Sequence, residues 1–221
     1  MTASFVPPEE VPDLEPGINL VETPQARTTA LHQVALGHLD ADGTAVWLDA
    51  RGNAATYLLD REFRQTPSLE IARAFTAYQH YELVRTLPGD LPRDLELIVL
   101  PCVASLYCDE DVPDAEGERY LESALAILDA VAAVADVPIL VSCLEDSPLV
   151  GQVRVAATKT ITYEATDLGV RFVTDDFETT VYWDDGFFQT TIPYWVELLG
   201  AVEETDPAVA VDEAGVLPSI V

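Results

Sequence analysis

Apolar residues along this chain come in short runs separated by polar, turn-forming stretches. The runs at 17–22 (Gly-Ile-Asn-Leu-Val-Glu), 45–49, 95–102 and 137–143 are too short for helices and nearly continuous, so they predict strands buried on both faces. Between the first two, Leu31, Val34, Ala35 and Leu39 recur at helical spacing behind a capping candidate, Thr28 or Thr29. Pro67-Ser68 predicts the start of a long helix with Ile71, Phe75 and Tyr78 on one face, ending near Pro88-Gly89. An acidic loop over 109–117 leads to a helix over 118–135, with Leu121, Ala124, Leu125, Leu128 and Ala132 at core spacing. The order β-α-β-α-β-α-β predicts an α/β fold: a mainly parallel sheet with helices on both faces.

After residue 152 the pattern changes to near alternation of Thr, Val, Tyr and Phe, predicting strands at 160–165, 169–174, 179–183 and 187–192. Asp167-Leu168-Gly169 and Asp184-Asp185-Gly186 are their turns, so antiparallel hairpins are expected to extend the sheet at its C-terminal end, followed by a short helix over 194–199. Residues 1–16, rich in proline and acids, read as a flexible N-terminal arm, 17–200 as the core domain, and 201–221 as an acidic flexible tail whose apolar end, 216–221, has the character of a docking peptide.

Charge changes this picture more than composition does. At 49% hydrophobic the chain can bury a sizeable core, yet it carries 39 Asp+Glu against 11 Lys+Arg, a formal net charge of -28. The only lysine is Lys159. Such a chain repels itself at ordinary ionic strength, whereas at 1 M salt the screening length falls to roughly 3 Å. The acids are spread along the whole chain, which favours adaptation to a salt-rich cytoplasm, of halophilic type, over the alternative of an acidic partner surface or nucleic-acid mimic. Direct nucleic-acid binding is not expected, because the densest basic pair, Arg61 and Arg64, sits beside Asp60 and Glu62. Residues 1–10 do not read as an export signal and no apolar run approaches 18 residues, so the expectation is a cytoplasmic protein with no membrane span. Cys102, Cys108 and Cys143 then read as reduced thiols. Buried free cysteines are the plainer reading; a metal or redox site at Cys102 and Cys143 is the sharper one, although no fourth ligand is evident, with His32, His38 and His80 on helices elsewhere. No G-x-S-x-G elbow is present.

The candidate chemistry centres on strand ends. Residues 45–54 read Ala-Val-Trp-Leu-Asp-Ala-Arg-Gly-Asn-Ala: an apolar strand, the acid Asp49, then a glycine turn. Together with the order of elements over about residues 14–195, this resembles the RecA/RadA recombinase core. The resemblance implies a nucleotide site after the first strand, where the family has G-x-x-x-x-G-K-[ST]. Here the stretch is Val21-Glu22-Thr23-Pro24-Gln25-Ala26-Arg27-Thr28-Thr29, without the glycines that let backbone amides curl round a phosphate and with Arg27 near the lysine position. The family's Walker B strand ends in a metal-holding aspartate; Leu97-Ile98-Val99-Leu100 is followed here by Pro101. The family's catalytic glutamate position is filled by Arg51. Residues 74–79 resemble the helix that the family places after its second strand, and 99–107 keep its small-residue loop after Walker B.

The resemblance therefore implies a degenerate nucleotide site, Glu22, Arg27, Thr28, Asp49, Arg51 and Pro101, on a pseudo-ATPase with no catalytic residue, no cofactor and no metal. It further implies a non-catalytic paralogue acting through protein contacts in DNA repair, recombination or chromosome maintenance, with a recombinase or an SMC-like chromosome protein as partner. A residual nucleotide binder or slow ATPase with a rebuilt pocket, and a scaffold unrelated to DNA, are the alternatives. Candidate partner contacts are the apolar pair Phe5 and Val6 of the arm, docking on another protein or on a second copy, and the aromatics Trp183, Phe187 and Phe188 of the hairpin region, which alternation also allows as core.

Overall fold

In the computed structural model, residues 11–26, 29–39, 43–52, 68–166, 169–179, 181–184 and 187–190 are described. The parallel body contains β1 (Gly17–Thr23), α1 (Ala30–His38), β2 (Thr44–Ala50), β3 (Ser68–Ala74), α2 (Ala77–Thr86), β4 (Leu95–Leu100), α3 (Asp114–Ala135), β5 (Pro138–Leu144), α4 (Val150–Ala156) and β6 (Lys159–Thr166). These are followed by β7 (Gly169–Val173), β8 (Val181–Asp184) and β9 (Phe187–Thr190). Seven strands form one sheet in the order β3-β2-β4-β5-β1-β6-β7, parallel throughout except for the antiparallel β6–β7 pair. β8 and β9 pair antiparallel as a separate two-stranded ribbon.

Alternation along the strands divides the core into two layers. Ile18, Leu20, Val46, Leu48, Ile98, Leu100, Ile139 and Val141 face α2, α3 and α4. Val21, Ala45, Trp47, Leu97, Val99 and Leu140 face the other way, under Ala30, Leu31, Val34 and Ala35 of α1. The helices thus lie on both faces, as the continuous apolar runs require. α3 buries one stripe, Leu121, Ala124, Leu125, Leu128, Val131 and Ala132, and ends at Asp136 in the left-handed conformation.

The long helix expected from Pro67-Ser68 to Pro88-Gly89 is corrected. Residues 68–74 are an edge strand parallel to β2, and the helix occupies only Ala77–Thr86. Leu69, Ile71 and Arg73 alternate with Glu70, Ala72 and Ala74, and Thr76 starts the helix by accepting a hydrogen bond from the Gln79 amide at 3.2 Å. The helix in 74–79 therefore begins at Ala77 and follows the third strand, not the second, so the element order gains one strand.

Four smaller expectations change as well. The acidic loop stops at Pro113, because Asp114 and Glu116 lie in the first turn of α3, where acids suit the helix dipole. β4 ends at Leu100, with Pro101 and Cys102 in the turn beyond it. Thr29 stands at the N-cap of α1 without a side-chain cap bond. α4 was not expected at all.

Residues 11–16 are extended chain packed on the body: Leu14 is buried in the α1 layer, and Asn19 donates to the Glu15 carbonyl at 2.7 Å. Among the described residues, no helix is long and apolar enough to cross a membrane.

Candidate functional site at the strand ends

In a parallel sheet, ligands bind beyond the carboxyl ends of the strands where neighbouring connections leave for opposite faces. Here those neighbours are β1 and β5: the chain leaves β1 for α1 on one face and leaves β5 for α4 on the other. Glu22, paired in register with Cys143 of β5, stands at that point. Its side chain faces α4, where Arg154 closes on it as a two-pronged ion pair: Nη2 donates to Oε2 at 2.8 Å and Nε donates to Oε1. Glu22 is 11% exposed and Arg154 50%, so the carboxylate is the sheltered member and the guanidinium the solvent-facing one. Around the pair lies an open hollow of about 600 Å³, lined by Glu22, Pro24, Glu145, Arg154, Thr162, Tyr163 and Glu164. It contains three carboxylates and one guanidinium. A larger hollow, about 690 Å³, lies on the flank between α3 and α4, bounded by Glu122, Leu125, Asp129 and Val155.

The other expected site residues are not gathered round Glu22. Asp49 lies on the α1 face of β2, fully buried, with Arg73 Nε 3.3 Å from its Oδ2. β1 and β2 are three strand spacings apart, about 14 Å. Arg51 follows β2 in the left-handed region (φ 62), held by the carbonyl of Ser105 at 3.3 Å and by the carboxylate of Asp109. It ties the end of β2 to the loop after β4, where it is itself fixed by partners. Pro101 is buried directly beyond β4. Arg27 and Thr28 fall outside the described residues, as do Phe5 and Val6. Trp183 lies in β8, and Phe187 and Phe188 in β9, where the backbone pairing is described.

Sequence spacing gave no hint of Arg154, which is 132 residues from its partner Glu22. The thiols are the better-anticipated part. Continuing the Leu100–Val141 register brings Cys102 beside β5, where its amide donates to Ser142 Oγ at 2.8 Å. Cys102 itself has φ 51, an uncommon conformation for a side chain with a Cβ. Its thiol donates to the Ala26 carbonyl at 3.4 Å, and burial pushes its pKa up. Cys143 is buried and pushed up to about 11, again by burial; Cys108 is exposed. Among the described residues no three His, Cys, Asp or Glu side chains stand close enough to hold a metal ion.

Behind the loop after β4, the phenol of Tyr107 lies 2.8 Å from His80 Nδ1 in α2. His80 is fully buried, its Nε2 has no hydrogen-bond partner among the described residues, and burial lowers its pKa to about 4. This contact locks α2 to the segment that carries Ser105, Cys108 and Asp109. Comparison with protein-family models and with curated proteins finds no match to this chain.

Proposed function

We propose that this chain is a degenerate relative of the RecA/RadA core, a pseudo-ATPase that acts through protein contacts in DNA repair, recombination or chromosome maintenance. The observation that carries the loss of chemistry is the Glu22–Arg154 pair. At the end of β1, where the family begins its phosphate-binding loop, this chain places a sheltered carboxylate already satisfied by a guanidinium. Glu145 and Glu164 line the same hollow, so an incoming triphosphate meets three carboxylates. The buried Pro101 beyond β4 offers no oxygen or nitrogen side chain to a cation, and Arg51 is engaged with Ser105 and Asp109. The side-by-side packing of β4 and β5 supports the family reading, since the family packs these strands together; so does the small-residue turn Cys102-Val103-Ala104 after β4.

The biological setting rests on the resemblance; the halophilic assignment rests on the formal charge of -28, and the cytoplasmic one goes with the salt-rich cytoplasm that such a charge suits. The test is affinity capture with the full chain in molar KCl, followed by mass spectrometry of what is retained. Recovery of a recombinase or an SMC-like chromosome protein is expected; a partner from metabolism overturns the setting. A second reading, residual nucleotide binding, is favoured by one feature: the half-exposed Arg154 borders a hollow of about 600 Å³. Nucleotide binding that disappears in R154M would establish it.

A further inference from the structure

The three thiols converge on the crevice between β4 and β5 from different elements, and the pseudo-ATPase reading uses none of them. Cys143 is the penultimate residue of β5, Cys102 lies in the turn after β4, and Cys108 ends the short helical turn Ser105–Cys108. Their environments differ. Cys102 is buried and its thiol is committed to the Ala26 carbonyl, toward the β1–α1 connection. Cys108 is exposed, and its Sγ lies 3.9 Å from Ser147 Oγ. The same Ser147 hydroxyl lies near the Cys143 thiol as well, close enough to offset part of the rise that burial gives its pKa. One hydroxyl thus stands between one solvent-reachable sulfur and one buried sulfur; the Ser147 backbone is held by the Leu144 carbonyl and the Val150 amide, both at 3.1 Å, while its Oγ takes a long bond from the Leu149 amide at 3.4 Å.

We propose that Cys108 and Cys143 form an oxidative modification site that a peroxide converts into an intramolecular disulfide. The exposed Cys108 sulfur attacks one peroxide oxygen; the O–O bond breaks, Cys108 becomes a sulfenic acid, and one water leaves. Ser147 swings aside, the Cys143 sulfur attacks the sulfenic sulfur, and a second water leaves. Two thiols and one peroxide give one disulfide and two waters, the two electrons passing from the sulfurs to the peroxide. Closing the S–S bond to about 2.05 Å needs movement of the Ser105–Cys108 turn, and Cys108 is its last residue. The bridge pins the turn whose Ser105 carbonyl, with the adjoining Asp109, holds Arg51. Burial raises the pKa of both thiols, so little thiolate is present at neutral pH and the reaction quickens as pH rises.

The experiment treats the full chain in molar KCl with hydrogen peroxide, traps remaining thiols with a maleimide, and maps peptides by mass. The expected result is loss of two of the three thiols, a linked Cys108–Cys143 peptide within single molecules, recovery of all three thiols on adding dithiothreitol, and a rate that rises about tenfold from pH 7 to pH 8. C102S should link as fast as the natural chain, and C108S should not link. Three thiols still free after treatment, a bridge that includes Cys102, a bridge only between molecules, or Cys108 carried to sulfinic acid without a bridge would each overturn the proposal.

Discussion

Lowering the pH should loosen this fold through His80, and the effect can be isolated. The ring is fully buried in α2 against Tyr107, and burial lowers its pKa from 6.5 to about 4. The unfolded ring takes up a proton below about pH 6.5, the native ring only near pH 4. Between those values the unfolded state binds more protons, so stability present above pH 6.5 is lost as the pH falls and levels off below 4. The gap of about 2.5 pH units corresponds to about 3 kcal/mol at roughly 1.4 kcal/mol per unit. Carboxylates titrate in the same range, so the reading must be a difference between two proteins in molar KCl. His80→Asn is the suitable comparison, because an asparagine Oδ1 reaches the position of Nδ1 and keeps an acceptor for the Tyr107 hydroxyl while removing the titration. With a urea slope of about 2 kcal/mol per molar, the midpoint of the natural chain should fall about 1.5 M further than that of H80N between pH 7 and pH 4. Parallel midpoint curves for the two proteins would refute the reasoning.

Three further outcomes follow from the same contacts and charges. Gly117 faces the Tyr107 carbonyl in α3, and an added Cβ would run into that backbone oxygen; G117A should lower stability by about 1–3 kcal/mol by overpacking, against a helix-propensity gain of about 1 kcal/mol, and a raised melting temperature would contradict this. Dilution from molar to physiological salt should cost secondary structure by circular dichroism, because -28 charges are then poorly screened; an unchanged melting temperature would contradict the halophilic reading. Fluorescence anisotropy with single- and double-stranded oligonucleotides should detect no binding across the salt range, and micromolar binding would refute that expectation.

Much of the parallel sheet could be read from the sequence because β1, β2, β4 and β5 are buried on both faces and appear as unbroken apolar runs. β3 was misread for a physical reason. It is an edge strand with exposed Glu70, Ile71 and Arg73, so it lacks an apolar run, while Ile71, Phe75 and Tyr78 happen to fall at helical spacing. The exposure of Phe75 and Tyr78 shows that this spacing marked no buried face. α4 escaped notice because only seven residues form it and only Val150 and Val153 are buried.

At the site, the sequence named Glu22, Asp49 and Arg51 but grouped them by their likeness to separate motifs of one family. The structure separates them: Glu22 faces α4, Asp49 faces the α1 layer, and Arg51 points to the loop after β4. The partners that give each residue its character, Arg154, Arg73 and Asp109, lie too far along the chain for any spacing rule to find. The neighbourhood of Cys102 and Cys143 followed only from the resemblance, whose family packs these two strands side by side, as β4 and β5 pair here; the role of Ser147 was not legible.

The proposed loss of chemistry at the end of β1 is tested most directly by ATP turnover of the full chain in molar KCl with magnesium, beside E22Q and D49N. In the proposed reading Glu22 is engaged by Arg154 and the buried Asp49 by Arg73, so neither of these carboxylates is available to hold magnesium or to direct a water at a phosphate. The account therefore predicts phosphate release indistinguishable from a blank for all three proteins. Turnover by the natural chain that either substitution abolishes would contradict it.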